Sequence, residues 1–389
     1  MKALNVSRLF DLAIVLAGIA LATAIRYSLL DFKSIDFYNY THGWYNTIKG
    51  SGFSAFRTDF SNYNPPYLYL LYLIARFLPD VPPLTATKLP SLVADFIMAW
   101  FAAQIVRIKY PKGIFPLMAA LAILFAPTVI LNSAFWGQAD ALYTTALVAC
   151  LYFLMTQKNI LAILFFGLSI SFKAQAIFLS PLLLALFLRK EISWKYFLLI
   201  PLVMILALIP AWIAGRSFWD LLMTYPSQAG QYEQLSMHAP SALSWIPNSG
   251  RFYPYFYPAG LILSAAFGFF FAIYVYRSRT ELTASLVVEL ALASVVMMPF
   301  LLPKMLDRYF YPADVISIIF AFFFPTYFYI PILMSVISFF AYQPTLFGVE
   351  PIPISILALG VLAILVILGI DILSKLQSPN SETEKSTKQ

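Results

Sequence analysis

The carboxylate of Asp36 is the group in this sequence best placed to act as a base. It follows the first long apolar run and opens the stretch DFYNYTHGWYNTI, residues 36–48. A carboxylate at a boundary between water and lipid is a better proton acceptor than one in bulk water, because partial desolvation disfavours its charged form. We therefore expect Asp36 to take a proton from a hydroxyl group. The alternative is that Asp36 caps the helix beginning there.

Two basic residues have the chemistry to hold a phosphate group. Lys173 lies in the polar sequence SFKAQ between two short apolar runs, and Arg308 lies in KMLDRYFYPAD. Arginine offers a bidentate fork and lysine a point charge, and a departing phosphate needs positive charge of either kind. A charge near the bilayer centre costs about 2.5–3.5 kcal/mol, so such a residue usually has a partner or a function. The alternatives are extension to the membrane surface or pairing with an acid such as Asp307 or Asp314.

Four further polar residues interrupt apolar sequence or lie in the loops. Gln138 and Asp140, in FWGQAD, either bind hydroxyl groups or cap the helix that starts at Asp140. Asp95 lies inside an apolar run, and we expect it to bond to a neighbouring helix. His238 is one of two histidines and lies in a long loop, where the sequence indicates no partner for it.

The composition is that of a membrane protein. Hydrophobic residues make up 61% of the chain, charged residues 11%, and the mean hydropathy is +0.79. The net charge of +7 is spread over short clusters between apolar runs, whereas a nucleic-acid surface needs a continuous basic stripe. A single cysteine, Cys150, excludes an intramolecular disulfide, and two histidines exclude a Cys/His metal cluster. No resident cofactor or metal is expected.

The pattern of apolar runs predicts an all-α, polytopic membrane protein of about twelve transmembrane helices. The predicted spans are 9–30, 85–106, 114–132, 140–157, 159–171, 176–188, 195–214, 256–276, 282–302, 312–325, 327–342 and 353–373. The spacing of Phe37, Tyr40, Trp44 and Ile48 predicts a further helix lying in the membrane interface. Residues 65–78 are too few for a full span, and we also place them at the interface.

Lysine and arginine in the short loops fix the expected orientation, because such residues favour the cytoplasmic side. Both termini are then cytoplasmic in the cell membrane, and the long loops 31–84 and 215–255 lie outside with the polar candidates. Residues 1–374 are expected to form one transmembrane domain, and 375–389 a disordered cytoplasmic tail.

Six stretches in this order resemble the GT-C glycosyltransferases, and most closely the bacterial relatives of the GPI mannosyltransferase branch. They are DFYNYTHGWYNTI (36–48), NYNPPYLYLL (62–71), KLPSLVADF (88–96), LNSAFWGQADALY (131–143), FKAQAIFLSP (172–181) and KMLDRYFYPAD (304–314). The late family motif reads close to MHERYFYP. Here Leu306 replaces its histidine and Asp307 its glutamate, while Arg308 and Tyr309 are kept.

The resemblance implies a GT-C fold and inverting transfer of a mannose-like hexose from a polyprenyl-phosphate sugar to a lipid-linked or cell-envelope glycan. It implies that Asp36 is the general base. It also implies that the donor and acceptor cavity is lined by Asn64, Gln138, Asp140, Lys173 and Gln175, with Arg308 facing the phosphate. The expected partners are thus the lipid-linked donor, the glycan acceptor and membrane lipids.

Two other classes of membrane protein share parts of this pattern. Broken helices and intramembrane polar groups also occur in secondary transporters and lipid flippases. An O-antigen-type polymerase or ligase has many spans and one large outside loop, and Arg216 and Arg251 flank such a loop here. The number of subunits is not indicated by the sequence.

Overall fold

A computed structural model of the chain describes residues 6–230 and 233–377. The chain divides into two compact units. Unit 1 comprises Met1–Tyr152, Leu164–Ala174 and Pro201–Ala229, and unit 2 comprises Phe153–Ile163, Gln175–Ile200 and Gly230–Gln389. The single domain 1–374 stays a prediction. The last helix continues to Gln377, and the rest of the predicted disordered tail lies outside the described residues.

The prediction of an all-helical, polytopic membrane protein is confirmed. Among the described residues, six helices are long and apolar enough to cross a membrane: Pro83–Lys109, Trp194–Ile213, Tyr253–Arg277, Ala284–Leu301, Pro325–Phe347 and Ile354–Gln377. Shorter apolar helices are Ala13–Ser28 (part of Val6–Ser28), Asp140–Met155, Asn159–Phe172 and Ala174–Leu188. With Tyr311–Phe323 and the broken pair described next, these helices coincide with the twelve predicted spans.

The third predicted span, 114–132, is broken where the sequence suggested a continuous helix. Phe115–Phe125 and Pro127–Trp136 meet at an angle of 50°. Pro127 is the cause, because proline lacks the N–H group that would continue the helix and its ring displaces the preceding turn. The second piece passes from a short α-turn, Pro127–Ile130, into a π-helical segment, Leu131–Trp136.

The break expected around Lys173 is present. Asn159–Phe172 ends there, a 3₁₀ turn covers Ala174–Leu179, and the α-helix Ser180–Leu188 follows. Irregular backbone inside a membrane protein needs polar partners from the protein or from a water-filled cavity. The partners of Lys173 are described with the site below.

The first long loop is mostly helical. Its segments are Phe37–Thr41 (π), His42–Ser51, Gly52–Arg57 (3₁₀) and Pro65–Phe77. Trp44 and Ile48, two of the residues whose spacing predicted an interfacial helix, are buried in the core of unit 1 with Leu68 and Leu71. The predicted helix therefore forms, but this stripe packs against protein. Pro65–Phe77 has 13 residues, about 20 Å of helix, which is short of a bilayer core of about 30 Å.

The second long loop contains short elements, and one of them forms an unexpected ladder. Phe218–Leu222 and Thr224–Gly230 are helical, and Ala242–Trp245 is a 3₁₀ turn. In unit 2, the strand Ser236–Met237 pairs in parallel with Met305–Leu306, directly before the 3₁₀ turn Asp307–Phe310. The core of unit 2 includes the helix Ala284–Leu301, 83% of which is buried.

Candidate active site

A tight turn at residues 136–138 is the local feature from which the site is built. Gly137 ends the π-helical segment in the left-handed conformation, at φ +82°. A Cβ atom at this position would lie 3.2 Å from Cγ of Lys88. Only glycine fits both demands at low cost. Trp136 and Gln138 are the residues directly before and after this glycine, so the turn fixes where both side chains start.

Two serines hold the backbone of this turn. The Ser34 hydroxyl donates to the Trp136 carbonyl at 2.9 Å, and the Ser91 hydroxyl donates to the Gln138 carbonyl at 2.6 Å. Both serines are buried, so these bonds are shielded from water. Ser34 also accepts a hydrogen bond from the Phe37 N–H group, at 3.3 Å, which ties the turn to the backbone beside Asp36.

The carboxylate of Asp36 is fixed through one oxygen. Its Oδ2 accepts hydrogen bonds from Nε1 of Trp136, at 2.9 Å, and from Nε2 of Gln138, at 2.5 Å. Asp36 precedes the helical segment, yet its side chain makes no capping hydrogen bond. The capping alternative therefore does not describe this side chain. Among the described residues no hydrogen bond reaches Oδ1, so that oxygen can accept a proton from a bound hydroxyl group.

A buried ion pair lies in the same unit. Nζ of Lys173 donates to Oδ1 of Asp140 at 2.6 Å, and Nδ2 of Asn132 donates to Oδ2 of Asp140 at 3.0 Å. The Lys173 ammonium lies 5.1 Å from the centroid of the Tyr63 ring, within cation–π distance. The Tyr63 hydroxyl is 3.5 Å from Oε1 of Gln138. Tyr63 thus lies between this ion pair and the glutamine that holds Asp36.

Two other predicted site residues lie at the break around Lys173. Asn64 is buried, and its Nδ2 donates to the Ser171 carbonyl at 3.1 Å, two residues before the lysine. The Asn64 side chain therefore satisfies a backbone carbonyl group at the end of the helix that precedes the break. Gln175 belongs to unit 2 and is half-buried in the 3₁₀ turn.

Unit 2 contains the late motif. Nη1 of Arg308 lies 3.6 Å from Oδ1 of Asp307, the pairing named among the sequence-based alternatives. The Arg308 N–H group donates to the same oxygen at 2.8 Å. Burial raises the pKa of Asp307 to about 6, and the nearby Arg308 charge opposes that rise. Tyr309 is half-buried and its ring packs against Phe178, with centroids 6.3 Å apart.

Asp95 bonds to neighbouring helices, as its position suggested. Nε and Nη2 of Arg26, from the first helix, each lie 2.9 Å from Asp95 Oδ2. The Ser133 hydroxyl, from the π-helical segment, donates to the same oxygen at 2.6 Å. This buried network supports the segment that carries Trp136.

Sequence reasoning missed two residues of the site and one supporting residue. Trp136 and Tyr63 were read only as members of motifs, although an indole N–H group beside a polar turn is a donor that needs an acceptor. Lys88 is almost fully buried, and its Nζ donates to the Leu30 and Phe32 carbonyls, both at 2.8 Å. A lysine inside an apolar span was the available signal for this last role.

Among the described residues, no group of three or more histidine, cysteine, aspartate or glutamate side chains is arranged to bind a metal ion.

No family model matches the sequence, and no curated protein matches it significantly. A solved structure does match the fold: ArnT from Cupriavidus metallidurans, bound to undecaprenyl phosphate. The two chains are 14% identical and superpose with a TM-score of 0.57, over 93% of this chain and 72% of ArnT. This chain shares the fold of ArnT. The shared fold and the apolar helices confirm the predicted all-helical, polytopic membrane architecture. At 14% identity, the similarity to ArnT is evidence for the fold and not for the function.

Proposed function

We propose that this chain is an inverting glycosyltransferase. It moves a hexose, mannose-like in our assignment, from a polyprenyl-phosphate sugar to a lipid-linked or cell-envelope glycan at the outer face of the cell membrane. The observation that carries the proposal is the Asp36 carboxylate, anchored through Oδ2 by Trp136 and Gln138. The ArnT fold, found in a protein bound to undecaprenyl phosphate, supports the choice of a polyprenyl-linked donor.

In the proposed mechanism, Oδ1 of Asp36 accepts the proton of an acceptor hydroxyl. The resulting oxygen attacks the anomeric carbon from the face opposite the phosphate, and the bond between that carbon and the phosphate oxygen breaks. Configuration is inverted in one displacement. A single base and a stabilised leaving group suffice for this, whereas a retaining enzyme needs a second carboxyl group as nucleophile.

Trp136 and Gln138 position the base in this mechanism. Both donors bind the same oxygen, so the plane of the carboxyl group is set before the acceptor arrives. A preorganised group loses less entropy when the reactive geometry forms. The Gly137 turn and the hydrogen bonds from Ser34 and Ser91 hold the backbone of Trp136 and Gln138, and this fixes the positions of the two donors.

Lys173 in unit 1 and Arg308 in unit 2 are each a candidate for contacting the leaving phosphate, because positive charge is needed where negative charge develops. Arg308 lies beside the carboxylate of Asp307, and Lys173 beside that of Asp140. Asn64 in unit 1, and Gln175 and Tyr309 in unit 2, stay predictions as residues that contact the substrate.

The test is consumption of a radiolabelled polyprenyl-phosphate hexose by the purified protein in proteoliposomes, with an extract of membrane glycolipids as acceptor. We expect free polyprenyl phosphate to be released as labelled glycolipid forms. Asp36→Asn should slow both by about 10²–10⁴-fold, while Asp80→Asn, which changes an exposed carboxylate of the same loop, should retain both. A protein that moves the intact donor across the bilayer without cleaving it would be a carrier, and the proposal would be wrong.

A further inference from the structure

The loop histidine without an evident partner in the sequence has one in the structure. His238 is exposed in unit 2, and its Nδ1 lies 3.4 Å from the hydroxyl of Thr345, near the end of the helix Tyr329–Phe347. That hydroxyl donates a hydrogen bond to Oδ2 of Asp307. Asp307 is 1% exposed. An exposed imidazole is therefore connected to a buried carboxylate through one hydroxyl group.

We call the chain of contacts His238–Thr345–Asp307 the relay. The direction of its hydrogen bonds follows from the number of protons that each group can donate. A carboxylate can only accept, so the single Thr345 proton points to Asp307. The Thr345 oxygen can then only accept from His238, and Nδ1 must carry a hydrogen. In the neutral imidazole the other nitrogen, Nε2, is left with its lone pair. The relay thus presents a proton-accepting nitrogen on an exposed loop.

The backbone around His238 is held in a strained conformation. His238 and Lys304 have φ values of +57° and +61°, unusual for residues with a Cβ atom. They flank the paired strands: the Lys304 N–H group donates to the Leu235 carbonyl at 2.8 Å, and His238 bridges to Leu306. Strain of this kind persists only where surrounding structure enforces it, and it clusters at functional sites.

The side chain of Asn248, an exposed residue, fixes the same segment through backbone hydrogen bonds. Oδ1 of Asn248 accepts the N–H groups of Leu235, at 2.8 Å, and of Ser236, at 3.2 Å. Its Nδ2 donates to the Ser236 carbonyl at 2.6 Å. The imidazole is therefore carried by a clamped backbone, although it lies in a long loop.

We propose that His238 is a hydroxyl-binding residue, which accepts a hydrogen bond at Nε2 from a sugar hydroxyl of the glycan substrate. Thr345 and Asp307 set its tautomer. The choice of a sugar as ligand rests on the proposed function. The existence of the relay does not.

The tautomer is measured directly by solid-state NMR of the protein, labelled with ¹⁵N-histidine, in phosphatidylcholine vesicles, about two pH units above the ordinary pKa of histidine. The chain has two histidines, so His42→Ala assigns both signals. We expect Nδ1–H for His238, retention of that tautomer in Thr345→Ser, and its loss in Thr345→Val. Nε2–H in the wild-type protein, or the same tautomer in Thr345→Val, would overturn the relay.

The ligand is tested with methyl α-D-mannopyranoside, using its permethylated form, which has no hydroxyl donor, as control. The first sugar should shift the Nε2 signal of His238 and the second should not. His238→Ala should weaken binding of the first about three- to tenfold, as for one hydrogen bond, and His42→Ala should not. Equal shifts with both sugars, or none, would refute the ligand assignment. Neither readout needs catalysis, so failure of the transferase proposal would be recognised separately.

Discussion

Breaking the Arg26–Asp95 pair should destabilise the segment that carries the site. Arg26 is 2% exposed and Asp95 0%. Nη1 of Arg26 also donates to the Leu124 carbonyl at 2.9 Å, in the last turn before the break at Pro127, where carbonyl groups lack helical partners. One guanidinium therefore neutralises a buried carboxylate and satisfies the end of a broken helix.

Arg26→Met removes both interactions and leaves Asp95 in the interior without its cation, with the Ser133 hydroxyl on Oδ2. Loss of one partner of a buried ion pair costs about 3–5 kcal/mol. Replacing both partners by apolar residues is often neutral, so the double variant Arg26→Met/Asp95→Leu should recover most of that loss. The difference between the single and double variants isolates the cost of the unpaired charge.

The assay is thermal unfolding in detergent micelles, followed by the loss of the monodisperse peak in size-exclusion chromatography. At roughly 2 °C per kcal/mol, the midpoint for Arg26→Met should fall by about 6–10 °C. The double variant should unfold within a few degrees of the wild-type protein. If the single variant is as stable as wild type, or the double variant is the weaker of the two, the account of this network is wrong.

Three further predictions concern the site and its surroundings. Gly137→Ala should cost about 1–2 kcal/mol of stability, because alanine is strained at φ +82° and its Cβ would crowd Lys88, and the thermal midpoint measures this loss. Trp136→Phe should lower kcat by about tenfold with KM for the donor unchanged, since one donor to Asp36 is lost; an unchanged kcat would contradict its positioning role. Asp307 has a folded-state pKa of about 6, above its ordinary 3.8, so its contribution to stability falls as the pH rises from about 4 to about 6 and stays low above that. Asp307→Asn should remove this decline from the free energy of unfolding measured by urea titration. An unaltered decline in the variant would contradict the assignment of the decline to Asp307.

The helices were predictable because hydropathy acts locally. Each apolar run contains its own signal, and the polar interruption at Lys173 marked a real break. Asp95 could be read as a partner of another helix because an isolated carboxylate in lipid is too costly to leave unpaired. The partner itself, Arg26, lies 69 residues away and could not be chosen from the sequence.

The features that the sequence did not reveal depend on tertiary contacts, or on a single residue that breaks a helix although the mean hydropathy of its run indicates a continuous span. Pro127 lies in a run whose hydropathy indicates one span, yet it bends that run by 50°. The bonds from Trp136 and Gln138 to Asp36 join residues about a hundred positions apart. The pairing of Ser236–Met237 with Met305–Leu306 joins two-residue strands that have no periodicity to detect. Contacts between residues distant in sequence, such as those of Trp136 and Gln138 with Asp36, bring the motif residues together.

The most direct test of the central claim separates substrate binding from chemistry at Asp36. Single-turnover transfer from a bound polyprenyl-phosphate hexose should be about 10²–10⁴ times slower in Asp36→Asn, the range attributed to general acid–base catalysis. Donor affinity, measured with a fluorescent polyprenyl phosphate, should match that of the wild-type protein and of Asp80→Asn. Transfer by Asp36→Asn at the wild-type rate would contradict the claim that this carboxylate is the base.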